Sequence, residues 1–170
     1  MTTRRLLLAL LLTAATSCSS EEPAPEPQPA SAASAGAKDD RTRAEKLAAR
    51  LAPAFDQVER AFQEGATLTE EPLLEAAGRA PLVTYCGIEE AERLDPARIE
   101  RIMDGPLEGS FSLPEHRLEA GVYRTPAPGP SVRGAGIVLW RVFERRLPGR
   151  LPWACLFVPA GRVDELIGAR

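Results

Sequence analysis

The chain of 170 residues has few of the residue types on which common protein sites depend. It contains one histidine, two lysines, 5% aromatic residues and three cysteines without a Cys-x-x-C pair. This scarcity excludes the usual structural zinc sites and a c-type haem attachment site. The 21 Lys and Arg residues do not outnumber the 24 Asp and Glu residues, so nucleic acid is not an expected partner. Because the sequence also lacks a phosphate loop and a dinucleotide fingerprint, we expect no metal and no cofactor.

Long hydrophobic runs are absent as well. The most apolar stretch, residues 6–15, has ten residues, far fewer than the roughly 20 that a membrane-spanning helix needs. Arg4 and Arg5 precede this stretch and small residues follow it, which is the pattern of an export signal. Residues 3–8 also resemble a twin-arginine signal, but the short basic region favours the general secretory route.

A cysteine follows the export signal directly. The run Ala15-Thr16-Ser17-Cys18 resembles the lipobox of bacterial lipoproteins, although that family usually has Leu at the place of Ala15. The resemblance covers residues 1–18 and implies that the signal peptide, residues 1–17, is removed. It also implies that Cys18 becomes an N-terminus carrying diacylglycerol and a further acyl chain such as palmitate, which is enough for stable anchoring. Ser19 resembles the pattern of outer-membrane lipoproteins and implies a domain in the periplasm.

The remaining chain divides into two parts. Residues 19–42 contain no Val, Ile, Leu, Met, Phe, Tyr or Trp. A segment with nothing to bury cannot offset its ordering entropy, so residues 18–42 are predicted to be a disordered tether. The 128 residues from 43 to 170 are enough for one globular domain.

Helices are predicted in the first half of this domain. A stripe of apolar residues recurs at spacings of three and four, typical of one helix face: Leu47, Leu51, Phe55, Val58 and Phe62. Pro53 either kinks this helix or begins a second one. A short helix is predicted at 69–77, and Asp95-Pro96 marks the start of another that buries Ile99, Ile102 and Met103.

Strands are predicted in the second half. The candidate segments are residues 81–86, 107–113, 118–125, 137–143 and 153–158. Residues 125–136 form a loop, and residues 164–168 a last helical turn. Helices followed by strands predict an α+β domain in which N-terminal helices pack on a small, mainly antiparallel sheet.

Charge is divided in the same way along the chain. Residues 43–116 have 8 basic and 15 acidic residues, whereas residues 117–170 have 9 basic and 4 acidic residues. The first interpretation is that acidic helices pack beside a basic sheet. The alternative is a basic face that recruits an anionic partner, such as a cell-wall polymer or lipid head groups. Its residues are Arg141, Arg145, Arg146 and Arg150.

Two cysteines lie in the domain. After export they enter an oxidising compartment, so a disulfide between Cys86 and Cys155 is predicted. The alternatives are two buried thiols, or a catalytic Cys86 activated by His116.

His116 is the candidate for acid–base chemistry because it is the only group that titrates near neutral pH. Ser110 is the nearest serine, but its surroundings lack the second glycine of a nucleophile elbow. The sequence therefore favours a non-enzymatic binding or assembly module that acts on an envelope protein or a cell-wall polymer. The alternatives are a small periplasmic hydrolase that uses His116, and a carrier with an apolar pocket beside the sheet from Trp140 to Phe157.

Overall fold

The structure is a computed structural model that describes residues 31–79, 83–86, 96–103, 105–124, 134–145, 147–148 and 153–168, apart from the side chains of residues 31–35 and 83–86. Helices and strands alternate irregularly along these segments. In chain order they are α1 Ser31–Gln63, α2 Glu71–Ala76, β1 Val83–Cys86, α3 Pro96–Met103, β2 Leu107–Leu113, β3 Leu118–Tyr123, β4 Gly136–Val142, β5 Trp153–Pro159 and α4 Ala160–Leu166.

The long helix α1 follows the predicted apolar stripe. All five stripe residues, from Leu47 to Phe62, are at most 2% exposed. Pro53 lies inside the helix on its exposed side, and α1 continues through it as one element. The predicted helix face is therefore confirmed, and the proline begins no second helix.

The start of α1 corrects the predicted tether. Residues 31–42 were expected to be disordered, but the helix already begins at Ser31. The expectation considered only large apolar residues, whereas alanine, lysine and arginine favour a helix by intrinsic propensity. Asp40 is also 6% exposed and accepts two hydrogen bonds from Arg124, at 2.6 and 2.8 Å. Ion pairing therefore fixes this part of the helix without apolar burial, and the folded part begins before residue 43.

The five strands form one antiparallel sheet in the order β1-β5-β4-β3-β2. The strands β2, β3, β4 and β5 are neighbours in chain order, and β1 adds to the far side of β5. Together with the helices, this sheet confirms the predicted α+β class. The order leaves β1 and β2 at the two edges.

Each face of the sheet has its own core. One face packs against α1, α2 and α4 around residues such as Leu139 and Leu156, both fully buried. The opposite face packs against the short helix α3, where Ile99 and Met103 meet Trp140 and its neighbours. Since α3 has eight residues, it provides a much smaller cover than α1, which has 33.

Ion pairs join α1 to the sheet and to α4. Arg141 of β4 pairs with Asp56 and Glu59 of α1, and Arg43 of α1 pairs with Asp164 of α4 at 2.6 Å. The pairs of Arg141 place acidic helix residues beside a basic sheet residue, as in the first of the two interpretations of the charge division, whereas the pair of Arg43 joins two helices.

Two further predictions concern the last helix and the loop before β4. α4 begins at Ala160, four residues earlier than the predicted last turn. Most of the loop predicted at 125–136 lies outside the described residues. Within the described segments, no helix has the length and apolar character to cross a membrane.

Candidate functional site

The edge strand β2 and the turn after it are bordered by three cavities. The largest, about 860 Å³, touches Ser110, Phe111 and Ser112. The second, about 390 Å³, touches residues 108–111, and the third, about 260 Å³, touches residues 113–116. Cavities therefore follow this edge from Glu108 to His116, and we take the β2 edge as the candidate functional site.

The largest cavity spreads over the face that α3 covers only in part. The strand register aligns Ser112 with Glu119 and Glu119 with Trp140, so these residues share that face. Pro96 at the start of α3 closes one side of the cavity. Val142, also in its lining, is the only large hydrophobic side chain of the described residues that is exposed, at 39%. The surface here combines an apolar floor with polar walls, as small-molecule and peptide sites do.

The second cavity lies between β2 and the first turns of α1. Gly36, Ala37 and Asp40 form its helix side, and Glu108 and Arg124 form its strand side. Arg124 donates hydrogen bonds to Asp40 and to Glu108. These two carboxylates raise the pKa of Arg124 above its ordinary value. The guanidinium therefore stays charged and fixes the start of α1 beside the strand.

Carboxylates outnumber accessible guanidinium groups along this edge. The linings of the three cavities together contain six carboxylate residues: Asp40, Glu45, Glu108, Glu115, Glu119 and Glu144. They contain four arginines. Asp40 and Arg141 are both buried, so five accessible carboxylates and three accessible guanidinium groups remain. The surface beside β2 is therefore acidic.

The sequence candidates His116 and Ser110 line different cavities. His116 ends the single turn Pro114–His116 and is half-buried beside Arg41, Glu45 and Glu115. Ser110 lies in β2 and borders the other two cavities. The backbone carbonyl of His116 accepts a hydrogen bond of 2.7 Å from Arg141. The structure thus gives His116 a backbone role in holding the turn and places no serine beside its ring within the described lining.

The predicted basic face requires correction at its first residue. Arg141 is 2% exposed, because it lies under α1 and stacks over Phe55, with its guanidinium carbon 5.7 Å from the ring centroid. Arg145 is exposed and donates a hydrogen bond to the carbonyl of Gln63 at 3.1 Å. Arg146 and Arg150 lie outside the described residues. The arginine that anchors the predicted face is therefore an internal ion-pair partner.

The register of β1 and β5 bears on the predicted disulfide. Cys86 lies opposite Ala154, and Tyr85 lies opposite Cys155, which is buried. Directly opposed residues share a face and successive residues alternate, so positions 86 and 155 belong to opposite faces. This register disfavours a bridge, but the side chain of Cys86 lies outside the described residues and the bridge stays a prediction. Thiol labelling of the denatured, unreduced protein decides it, since a bridge leaves neither thiol reactive.

The predicted lipidation residue Cys18 and the whole predicted export signal lie outside the described residues. In the part of the chain that the structure covers, no group of three or more His, Cys, Asp or Glu residues could hold a metal ion.

The β2 edge itself was not among the sequence candidates. Its sequence signal is weak: the segment Gly109-Ser110 and the residue Ser112 place small residues in a strand where β-branched residues are usual. Such a strand packs poorly inside a sheet, which is consistent with an edge.

The comparisons with known proteins give no relative. A scan against protein-family models finds none that matches, and searches of curated proteins and of solved structures also find no match.

Proposed function

We propose that this protein is a lipid-anchored protein of the bacterial cell envelope whose folded domain is a non-enzymatic binding or assembly module. The observation that carries the binding role is the series of cavities along one open sheet edge, from Glu108 to His116. The export signal and the lipobox-like motif ending in Cys18 support the location. The partner is an envelope protein or a cell-wall polymer that reaches the periplasm.

Anchoring is tested with Cys18→Ser. If Cys18 carries the acyl chains, the wild-type chain fractionates with membranes and the variant is recovered in the soluble envelope fraction. Metabolic labelling with a fatty-acid analogue should mark the wild type and leave the variant unlabelled. A variant that stays labelled and membrane-bound would remove the lipoprotein part of the proposal.

Binding is tested by crosslinking the tagged, full-length protein in native envelopes and identifying captured material by mass spectrometry. We expect one stoichiometric partner that is lost with Ser110→Lys, which places a long charged side chain at the centre of the edge. Gln57→Lys adds the same charge at an exposed position of α1 and should retain the partner. Equal capture by both variants, or no partner above background, would contradict a binding role for this edge.

A small hydrolase that uses His116 is the second candidate. It is favoured by the place of His116 in the wall of a cavity of about 260 Å³, whose lining also contains Glu45 and Glu115. The described lining of that cavity contains no serine, threonine or cysteine as a nucleophile, so the two carboxylates would have to activate water. Hydrolysis of an envelope substrate by the purified protein that is lost in His116→Ala, while capture of the partner is unchanged, would favour this candidate over the binding module.

A further inference from the structure

The backbone of β2 is open between two protected ends. Apart from its pairing with β3, the only hydrogen bond that its backbone makes within the described segments runs from Leu107 N–H to Glu100, at 3.4 Å. Natural sheet edges are protected by bulges, prolines and charges. Here an irregularity lies between Leu107 and Gly109, and Pro114 follows the strand, but residues 109–113 contain no proline and no charge. Among the described strands, only β3 pairs with this window, which leaves its alternate N–H and C=O groups without a sheet partner there.

Space for the side chains of an added strand exists on both faces of that window. The cavity of about 860 Å³ adjoins Ser110 and Ser112 on the α3 face, and the cavity of about 390 Å³ adjoins Gly109 on the α1 face. Side chains of an extended segment alternate between the two faces of a sheet. A strand placed beside β2 would therefore direct successive side chains into these two cavities in turn.

The charge of the edge selects among possible occupants. Five accessible carboxylates and three accessible arginines border the three cavities, so a positively charged segment is attracted. The chain's own residues 19–30 are a poor match, because they carry three glutamates, four prolines and no basic residue. A second copy of β2 would bring its own acidic border, including Glu108, against this one.

We propose that β2 binds an extended, basic segment of a partner polypeptide, which joins the sheet as a sixth strand. This inference rests on the proposed binding function and specifies the chemistry of the partner. Main-chain hydrogen bonds to residues 109–113 supply the affinity, as in other cases of strand addition. Lysine or arginine side chains on the α3 face lie near Glu119 and Glu144, and the small side chains of Ser110 and Ser112 leave room for them.

The probe is a fluorescent, blocked peptide of four Thr-Lys repeats, added to the full chain in detergent and followed by anisotropy. Two matched peptides separate the contribution of charge from that of main-chain hydrogen bonds. A peptide of four Thr-Glu repeats reverses the charge. A Thr-Lys peptide with N-methyl groups on alternate residues keeps the charge but lacks the N–H groups that would bond to β2. We expect each to bind at least about tenfold more weakly than the Thr-Lys peptide, which corresponds to about 1.4 kcal/mol. Hydrogen exchange should show that the Thr-Lys peptide protects amides of residues 109–113.

Two variants test whether the Thr-Lys peptide contacts β2. Ser110→Lys should weaken Thr-Lys binding about tenfold or more, whereas Gln57→Lys should leave it within about twofold. Both variants are first checked for an unchanged urea midpoint, so that unfolding is not mistaken for lost binding. Equal binding of the N-methylated peptide would overturn strand addition and leave a purely electrostatic contact.

Other occupants give different results. Tighter peptide binding after deletion of residues 19–30 would show that the chain's own N-terminal segment occupies the edge, against the proposal. A concentration-dependent dimer that Ser110→Lys dissociates, without peptide binding, would show a second copy instead. If no peptide binds but the envelope partner is captured normally, the proposed function stands and the partner uses another surface or another chemistry.

Discussion

The guanidinium of Arg141 lies 3.4 Å from the carboxylate of Glu59, with side-chain exposures of only 2% and 3%. The same guanidinium donates a hydrogen bond to the carbonyl of Arg117 at 3.0 Å. The side chain of Arg117 in turn donates a hydrogen bond to the carboxylate of Glu59 at 3.1 Å. One buried ion pair therefore ties α1 to β4 and to the turn between β2 and β3. Because that turn ends the candidate edge, this pair positions the site.

Breaking the pair should destabilise the fold. In Arg141→Met the carboxylate of Glu59 stays buried with Arg117 as its remaining partner, and we expect a loss of about 3 kcal/mol in the free energy of unfolding. Arg145→Met is the matched control, because Arg145 makes one exposed hydrogen bond. It should cost no more than about 0.5 kcal/mol. Urea titration measures both, and a loss below about 1 kcal/mol for Arg141→Met would contradict the buried pair.

The start of the folded part is tested at Asp40. Asp40→Ala removes both hydrogen bonds to Arg124 and leaves that guanidinium with Glu108 alone. We expect a loss of about 1–3 kcal/mol together with faster hydrogen exchange in the first two turns of α1. The neighbouring exposed Asp39 provides the control, and Asp39→Ala should change stability by less than about 0.5 kcal/mol. Identical exchange in the two variants would show that residues 31–42 need no such pairing.

Glu70, at the N-cap of α2, should make stability depend on pH. Burial raises the pKa of its carboxyl from the ordinary 4.5, so the folded state binds this proton more tightly than the unfolded state. The contribution is favourable below the unfolded pKa and is lost as the pH rises through the folded pKa.

Glu70→Gln removes this dependence. Relative to the wild type, the variant should therefore be more stable at pH 7 than at pH 4, with a difference that grows across the region above 4.5. Thr67→Ala, which changes an exposed residue that does not titrate, serves as the control, and its stability difference from the wild type should not change with pH. Thermal unfolding at several pH values measures the stability difference between variant and wild type. A difference that falls as the pH rises would contradict the raised pKa of Glu70.

Two glycines should respond in opposite directions to alanine. A Cβ at Gly136, at the start of β4, would overlap the carbonyl oxygen of Val158 and the ring of Phe157. Gly136→Ala should therefore cost about 1–3 kcal/mol. Gly161 in α4 has open space around the Cβ position, and Gly161→Ala should raise stability by up to about 1 kcal/mol through helix propensity. Denaturant titration measures the change in the free energy of unfolding for both variants. No change for Gly136→Ala would show that the sheet is loosely packed around Gly136.

Local patterns were enough to predict most elements of the domain. The stripe from Leu47 to Phe62 predicted the buried face of α1, and Asp95-Pro96 predicted the start of α3. These predictions succeeded because helix periodicity and capping depend on neighbouring residues. The start of α1 was missed, since Asp40 is buried through a contact with Arg124, 84 residues away in the chain.

The candidate site depended on contacts that no local pattern contains. Arg141 belongs to a basic run in the sequence, yet it pairs with Asp56 and Glu59 because β4 packs under α1. Ser110 and His116 are six positions apart, but the strand and the turn place them on different cavities.

The amino-acid sequence by itself determined the helical face of α1 and the apolar strands of the sheet, because each depends on residue types within a short window. Lipid anchoring at Cys18 also rests on a short motif and stays a prediction. Only the tertiary structure decided that β2 is an edge, that carboxylates surround it and that Arg141 is buried. The reason is physical: whether a strand has one neighbour or two depends on the order in which distant segments pair, and the exposure of a charge depends on what packs over it.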